Sequence, residues 1–275
     1  MAYKDILVQI DDAGSAPRYQ IAADLAARAG GHVTGVFLKT TLINQYNNIG
    51  TIGYLPPEDL NKLIKDNSSA QDEDAAGALQ ALKAAATAAK AGVSHRTIGG
   101  DIPNELINLA KTADLAIMPP PSANPAYSVH ASASDICMAG CPVLLVPAQV
   151  AKPKVGEKVL LAWSRSRESA RALRDALPLL APGASVEVRM ARSKGDEGDD
   201  GADLKAHLER HGFKANVAMA DENHVADWLK AEAANTGCDL IVMGLYGHTR
   251  LREFVLGGVS RDMLHDCPLP LLISH

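Results

Sequence analysis

The sequence contains few of the residues that build secreted, membrane or nucleic-acid-binding proteins. Its 275 residues include only 4 cysteines and no Cys-x-x-Cys pair, so we expect buried, reduced thiols and no disulfide framework. No apolar run approaches the roughly 20 residues that a membrane-spanning helix needs. Lys and Arg number 27 against 32 Asp and Glu, so the chain lacks the basic excess of proteins that bind nucleic-acid backbones.

The first residues also lack the apolar stretch and cleavage site of a signal peptide. We therefore expect a cytoplasmic protein. Apolar residues make up 47% of the chain, which is enough for a substantial core, and the length suggests about two domains.

Short apolar runs alternate with helical patterns along the whole chain. Ile6–Ile10 and Val159–Trp163 are typical of buried strands, and an amphipathic helix pattern follows each run. Strand–helix alternation indicates parallel βαβ units. It predicts an α/β fold of two tandem doubly wound domains, each a five-stranded mostly parallel sheet with helices on both faces.

The two halves repeat each other. Asp114–Met118 resembles Asp239–Met243, and Cys141–Leu145 resembles Leu269–Ile273. The matches predict a first domain over 1–150 and a second over 156–275, with a linker between them.

The first copy is longer by about 25–30 residues, which indicates an insertion. The insertion is expected at about 39–69 and begins with a loop over 39–55, which is either a lid over a ligand crevice or a packed surface loop. The helical pattern over 57–91 is long for such a domain, so a break is expected near Asn67–Ser69.

One segment has the spacing of a phosphate-binding loop. Gly244-Leu245-Tyr246-Gly247 follows the predicted strand 240–243, and nine residues later Gly257-Gly258-Val259-Ser260 opens a predicted helix. Glycines in such a loop let backbone N–H groups approach an anion at a helix N-terminus. The carboxyl ends of parallel strands are also where ligands bind in open α/β sheets.

This segment resembles the universal stress protein family, whose signature is Gly, two residues, Gly, nine residues, then Gly followed by Ser or Thr. The resemblance covers both halves. It implies a tandem member with an adenine nucleotide alpha hydrolase-like fold, in which the two domains pair within the chain and a homodimer is a further option. It also implies ATP binding with Mg and a regulatory role in the stress response with at most slow ATP hydrolysis. The nucleotide-binding residues it implies, with loop cations added, are Gly244, Gly247, His248, Arg250, Gly257, Gly258, Val259, Ser260 and Ser164.

The two halves depart from the family pattern at different positions, so each half keeps a different part of it. Gly258 stands where the family has Ser or Thr, although Ser260 matches a second hydroxyl position, and Ser164 stands where the family has an Asp that holds adenosine. The first half keeps that carboxylate as Asp11, with Leu38 at the position that borders the adenine. It has Pro119-Pro120-Pro121 in place of the glycine loop, and proline supplies no N–H.

Two other classes of protein stay open. The departures favour a nucleotide-independent stress or scaffold protein that binds another ligand or a protein partner. A third alternative is an adenylating or electron-transfer enzyme on a related nucleotide-binding fold. His207 and His211 lie on one helical face, but Glu209 is misplaced for a zinc protease. With no Gly-x-Ser-x-Gly segment either, neither catalytic residues nor metal ligands are predicted. Arg252 and Arg261 are further candidates for contact with an anion.

Overall fold

The computed structural model describes residues 2–11, 15–40, 56–121, 132–191, 201–245 and 258–275. The chain divides into two compact units, Tyr3–Cys141 and Pro142–His275. In both units parallel strands alternate with helices, which confirms the predicted α/β class. In the part of the chain that is described, no helix is long and apolar enough to cross a membrane.

The first unit contains a four-stranded parallel sheet in the order β3-β2-β1-β4. The side chains of β4 and four of the six in β1 are buried, as expected for strands covered on both faces. The elements are β1 (Asp5–Ile10), α1 (Ala16–Ala29), β2 (His32–Leu38), α2 (Pro57–Ala89), β3 (Gly92–Ile98), α3 (Ile102–Ala110), β4 (Leu115–Met118) and α4 (Ala133–Met138).

Helix α2 runs unbroken for 33 residues, so the predicted break near Asn67–Ser69 is wrong. Its second half packs on the unit through the buried Ala78, Leu82 and Ala86. In its first half, Gln71 Nε2 donates to Asn67 Oδ1 at 2.5 Å, an i,i+4 pair that supports the helix. Gln71 also donates to the Thr40 carbonyl and accepts from the Thr40 N–H, both at 2.8 Å.

The second unit contains six strands in the order β5-β10-β9-β6-β7-β8. Neighbouring strands are parallel except β5, which is antiparallel to β10. The order β8-β7-β6-β9 has the same pattern as β3-β2-β1-β4. The elements are β5 (Val143–Leu145), β6 (Lys158–Ala162), α5 (Arg167–Ala176), β7 (Ser185–Ala191), α6 (Ala202–Arg210), β8 (Lys214–Ala220), α7 (Val225–Thr236), β9 (Leu240–Gly244), α8 (Gly258–His265) and β10 (Leu271–Ser274).

The interior of the second unit holds a satisfied charge cluster. Arg189, which is 4% exposed, donates to Glu232 at 2.5 Å and to Glu187 at 3.1 Å. Asn216 also donates to Glu187, at 2.7 Å. Buried charges are costly unless they are paired in this way, so the cluster has a structural explanation.

The cysteines are free, and Cys137, Cys141 and Cys238 are buried, which agrees with the expectation of reduced thiols. Cys267 is half-buried, and its burial raises the pKa of the thiol to about 11. A thiol with that pKa is almost wholly protonated near neutral pH, and the thiolate is the reactive form.

Both copies of the repeated Asp-Leu segment use the aspartate in the same way. Asp239 accepts hydrogen bonds from the N–H groups of Gly156, Glu157 and Lys158, at 2.7–3.0 Å. Asp114 accepts from the N–H groups of Lys4 and Asp5, at 2.8 and 2.9 Å. Each carboxylate therefore fixes the start of the central strand, β6 or β1, beside its neighbour in the sheet.

Replacing Asp239 should destabilise the second unit. Asp239→Ala removes the acceptor of three backbone N–H groups, and hydrogen bonds to a charged group contribute about 1.5–3 kcal/mol each when isolated, so we expect a loss of about 2–3 kcal/mol. Both tryptophans, Trp163 and Trp228, lie in this unit, so urea unfolding followed by tryptophan fluorescence measures it. An unchanged midpoint would contradict this role of Asp239.

Candidate functional site

The site predicted in the second unit begins where β9 leaves the sheet. Gly244 pairs in register with Ser274 of β10, and the N–H of Leu245 donates to the Ser274 carbonyl at 2.8 Å. Leu245 itself is fully buried. The strands β6, β9 and β10 are parallel, so the predicted glycine segment starts at their carboxyl edge, where open α/β sheets bind ligands.

Gly244 is required by packing. A Cβ atom at this position would lie 2.4 Å from the carbonyl carbon of Glu168 and 2.5 Å from the backbone nitrogen of Ser169. Real Cβ atoms do not approach backbone this closely, so only glycine fits. Because Gly244 has no side chain, the end of β9 packs directly against the first turn of α5.

The N-terminus of α5 is capped by a serine. Ser166 accepts a hydrogen bond from the Ser169 N–H at 3.1 Å, as N-cap residues do. Ser164 is exposed and its hydroxyl lies 3.2 Å from that of Ser166. Ser164 therefore lies in the turn that leads into the helix against which Gly244 packs.

Glu168 is the acidic residue in this first turn. Burial of its carboxyl group raises the pKa, but hydrogen bonds from its own backbone, from Arg167 and from Ser166 outweigh burial and leave the pKa below its usual value. Glu168 therefore stays ionised near neutral pH, and a negative charge is favourable at this end of a helix.

The other end of the predicted loop opens α8. Gly258 is exposed, Val259 is half-buried and Ser260 is 8% exposed. Among the described residues, no atom lies within 4 Å of the position that a Cβ of Gly258 would occupy, so their packing leaves room for a side chain. The residues predicted between the two ends lie outside the described residues; they are Gly247, His248, Arg250, Arg252 and Gly257.

The first unit places the predicted carboxylate in an internal ion pair. Asp11 forms a salt bridge with Arg18, which is 3% exposed, and accepts a hydrogen bond from Ser15 at 2.5 Å. Arg18 also donates to the Gln9 carbonyl at 3.0 Å. The Asp11 carboxylate therefore has a cation and a hydroxyl of its own unit as partners.

Sequence reasoning misses Arg18, the ion-pair partner of Asp11. It lies four residues before Ala22 and seven before Leu25, which are both buried on α1. An arginine at the spacing of the buried helical face is the signal that could have identified it. Leu38, the other residue predicted here, is buried at the end of β2, in register with Ile98.

The remaining sequence candidates do not assemble a second site. The rings of His207 and His211 lie 4.6 Å apart on successive turns of α6. Burial of His207, together with the charges of His211, Arg210 and Arg174, lowers its pKa. In the described ranges no group of three or more His, Cys, Asp or Glu side chains could hold a metal ion.

Comparison with sequence families finds one match in the second half. Residues 156–275 match the family model described as the universal stress protein family. Among curated proteins, the chain is similar to Universal stress protein Slr1230 of Synechocystis sp., at 31% identity over 65 residues. That alignment covers 24% of this chain and 22% of the relative, so the chain spans less than a quarter of the curated relative that it matches.

The alignments with two solved structures each cover 99% of the chain. A universal stress protein from Archaeoglobus fulgidus aligns with a TM-score of 0.74 at 15% identity, over 99% of this chain and 97% of that one. A functionally unknown protein, PA1789 from Pseudomonas aeruginosa, aligns with a TM-score of 0.56 at 16% identity, over 99% and 92%. At these identities the likeness shows the fold alone.

The two glycines that bound the loop should respond differently to an added methyl group. Gly244→Ala forces backbone apart at the contact with α5 and should cost about 1–3 kcal/mol or more. Gly258→Ala places its methyl group in open space and should leave the stability within about 0.5 kcal/mol. Urea unfolding of the two variants measures the difference, and equal stabilities would contradict the packing role of Gly244.

Proposed function

Because residues 156–275 match the universal stress protein family model, we propose that this chain is a stress-response regulator that binds ATP or a related adenine nucleotide, as its magnesium complex, in the second unit. The proposed contacts are the glycine segment after β9, the opening of α8 and the turn after β6. The residues are Gly244, Gly247, His248, Arg250, Gly257, Gly258, Val259, Ser260 and Ser164.

The observation that carries this proposal is the contact at Gly244. It directs the start of a Gly-x-x-Gly segment against the first turn of α5, and the N-terminal N–H groups of a helix favour an anion. The position of Gly258 adds support, because no atom of the described residues blocks the direction of its Cβ and its backbone N–H belongs to the first turn of another helix. The described part of the site thus offers backbone donors to phosphate.

The proposed role is regulatory. The described residues of the site supply backbone groups and two serine hydroxyls, which can hold a nucleotide by hydrogen bonds. We accordingly propose that occupancy by nucleotide is the signal, and that any ATP hydrolysis is slow.

A calorimetric titration with ATP and magnesium tests the site, and the same titration of Gly258→Ser tests what a hydroxyl at this position contributes to ATP binding. The serine restores the hydroxyl that the family pattern has at this position, and the open space around Gly258 accommodates it. A hydrogen bond to a charged group contributes about 1.5 kcal/mol or more, so we expect ATP to bind the variant about 10-fold more tightly than the wild-type chain.

Gly258→Ala is the matched control for that titration, because it adds the Cβ atom without the hydroxyl and should bind ATP as the wild type does. Absence of heat with the wild-type chain at millimolar ATP would overturn the nucleotide proposal. Binding that appears only in Gly258→Ser would indicate that the natural site serves something other than nucleotide.

The alternative is a nucleotide-independent stress or scaffold protein, and a specific observation in the first unit favours it. Asp11, at the family's adenosine position, is neutralised by the buried Arg18. In addition, Pro119 occupies the position that matches Gly244. We therefore propose that the first unit does not bind nucleotide, and that any ligand it has is of another class.

A further inference from the structure

Two arginines flank the residue that caps α5. Arg165 precedes Ser166 and Arg167 follows it. Arg165 has a φ of 60°, a left-handed conformation that is uncommon for a residue with a side chain, and the side chain of Arg167 is 74% exposed. The turn from β6 into α5 therefore carries two arginines at the carboxyl edge of the sheet, and the ionised Glu168, which pairs with Arg167, offsets part of their charge.

Arg167 reaches the point where the glycine segment leaves the sheet. Its Nη2 atom lies 3.4 Å from Nε2 of His275, and Nδ1 of His275 lies 3.4 Å from the carbonyl oxygen of Leu245. Arg167 Nε also donates to Glu168 at 3.1 Å. The side chain of His275 thus links the guanidinium group of Arg167 to Leu245, the residue that follows Gly244.

On the face of the sheet that α5 covers lies a buried serine hydroxyl that makes no hydrogen bond within the described residues. Ser274 is 1% exposed, and its Oγ has no hydrogen-bond partner within the described ranges. Ser274 pairs in register with Gly244, and paired residues of parallel strands face the same side of a sheet. At Gly244 that side is covered by the first turn of α5. A buried polar group without a partner is costly, so its position indicates a place where a ligand or its bound water completes the hydrogen bonding.

From these observations, and resting on the proposed function, we propose that Arg165, Arg167 and the N-terminus of α5 bind the terminal phosphates of the nucleotide. Gly258 has no hydroxyl that could contact the phosphates, and the two arginines make that contact instead. Guanidinium groups bind phosphate through paired, charge-assisted hydrogen bonds. The site therefore selects its ligand by phosphate number, and a nucleoside triphosphate binds more tightly than a diphosphate, a monophosphate or adenosine.

The cation pair is a property of the second copy. When Ile6–Val8 is matched with Val159–Leu161, Arg165 and Arg167 correspond to Asp12 and Gly14 of the first copy. The first copy thus has an acidic residue and a glycine where the second has two arginines. This difference agrees with a polyphosphate site in the second unit alone.

The test is calorimetric titration of the full chain with adenosine, AMP, ADP and ATP. We expect Arg167→Gln to lower the affinity for ATP about 10-fold and to change that for adenosine less than twofold, because only the phosphates contact the guanidinium group. Arg165→Gln should act in the same direction, and the double variant should show a smaller gain in affinity from adenosine to ATP than the wild-type chain does. The matched control is Arg171→Gln, because Arg171 lies one turn further along α5 and pairs with Asp175 at 2.7 Å.

The outcomes separate this inference from the function on which it rests. If the wild-type chain binds neither ATP nor the other three ligands, both proposals are overturned. If it binds ATP and Arg167→Gln binds ATP equally well, only the role of the arginines is overturned. An equal loss for adenosine and ATP would mean that Arg167 has a structural role, and it would likewise overturn selection by phosphate number.

Discussion

The candidate site in the second unit depends on a close contact between two stretches of backbone. At Gly244 the end of β9 approaches the first turn of α5 so closely that a Cβ atom would lie 2.4 Å from the Glu168 carbonyl carbon. The buried Leu245, the pairing of β9 with β10 and the Ser166 cap all support this arrangement. The contact directs a glycine segment against a helix N-terminus, where backbone dipoles favour anions. The proposed nucleotide site therefore follows first from packing and then from side-chain chemistry.

The same strand order supports different chemistry at the corresponding edge of the first unit. Pro119 stands where the second unit has Gly244, and proline neither donates a hydrogen bond nor adopts positive φ. The carboxylate of Asp11 is engaged by Arg18 and Ser15. One unit thus keeps the backbone features of a phosphate site, and the other has its carboxylate satisfied internally.

Sequence reasoning succeeds where a feature is local and fails where it depends on a distant partner. The α/β class follows from apolar runs such as Ile6–Ile10, because parallel strands are buried on both faces. The continuity of α2 does not follow, because Gln71 is held partly by Thr40, 31 residues away. The ion pair of Arg18 is missed because arginine on a helix is ordinarily solvent-exposed. The glycine spacing identifies Gly244, but its contact with Glu168 is visible only in three dimensions.

Hydrogen–deuterium exchange of the full chain, with and without ATP and magnesium, is the most direct test of the central claim that nucleotide binds in the second unit alone. The account predicts slower exchange in the presence of ATP for peptides that cover 164–170 and 244–260. Peptides that cover 11–18 should exchange at the same rate in both samples. Protection of the first-unit peptides, with no change in those of the second unit, would contradict it.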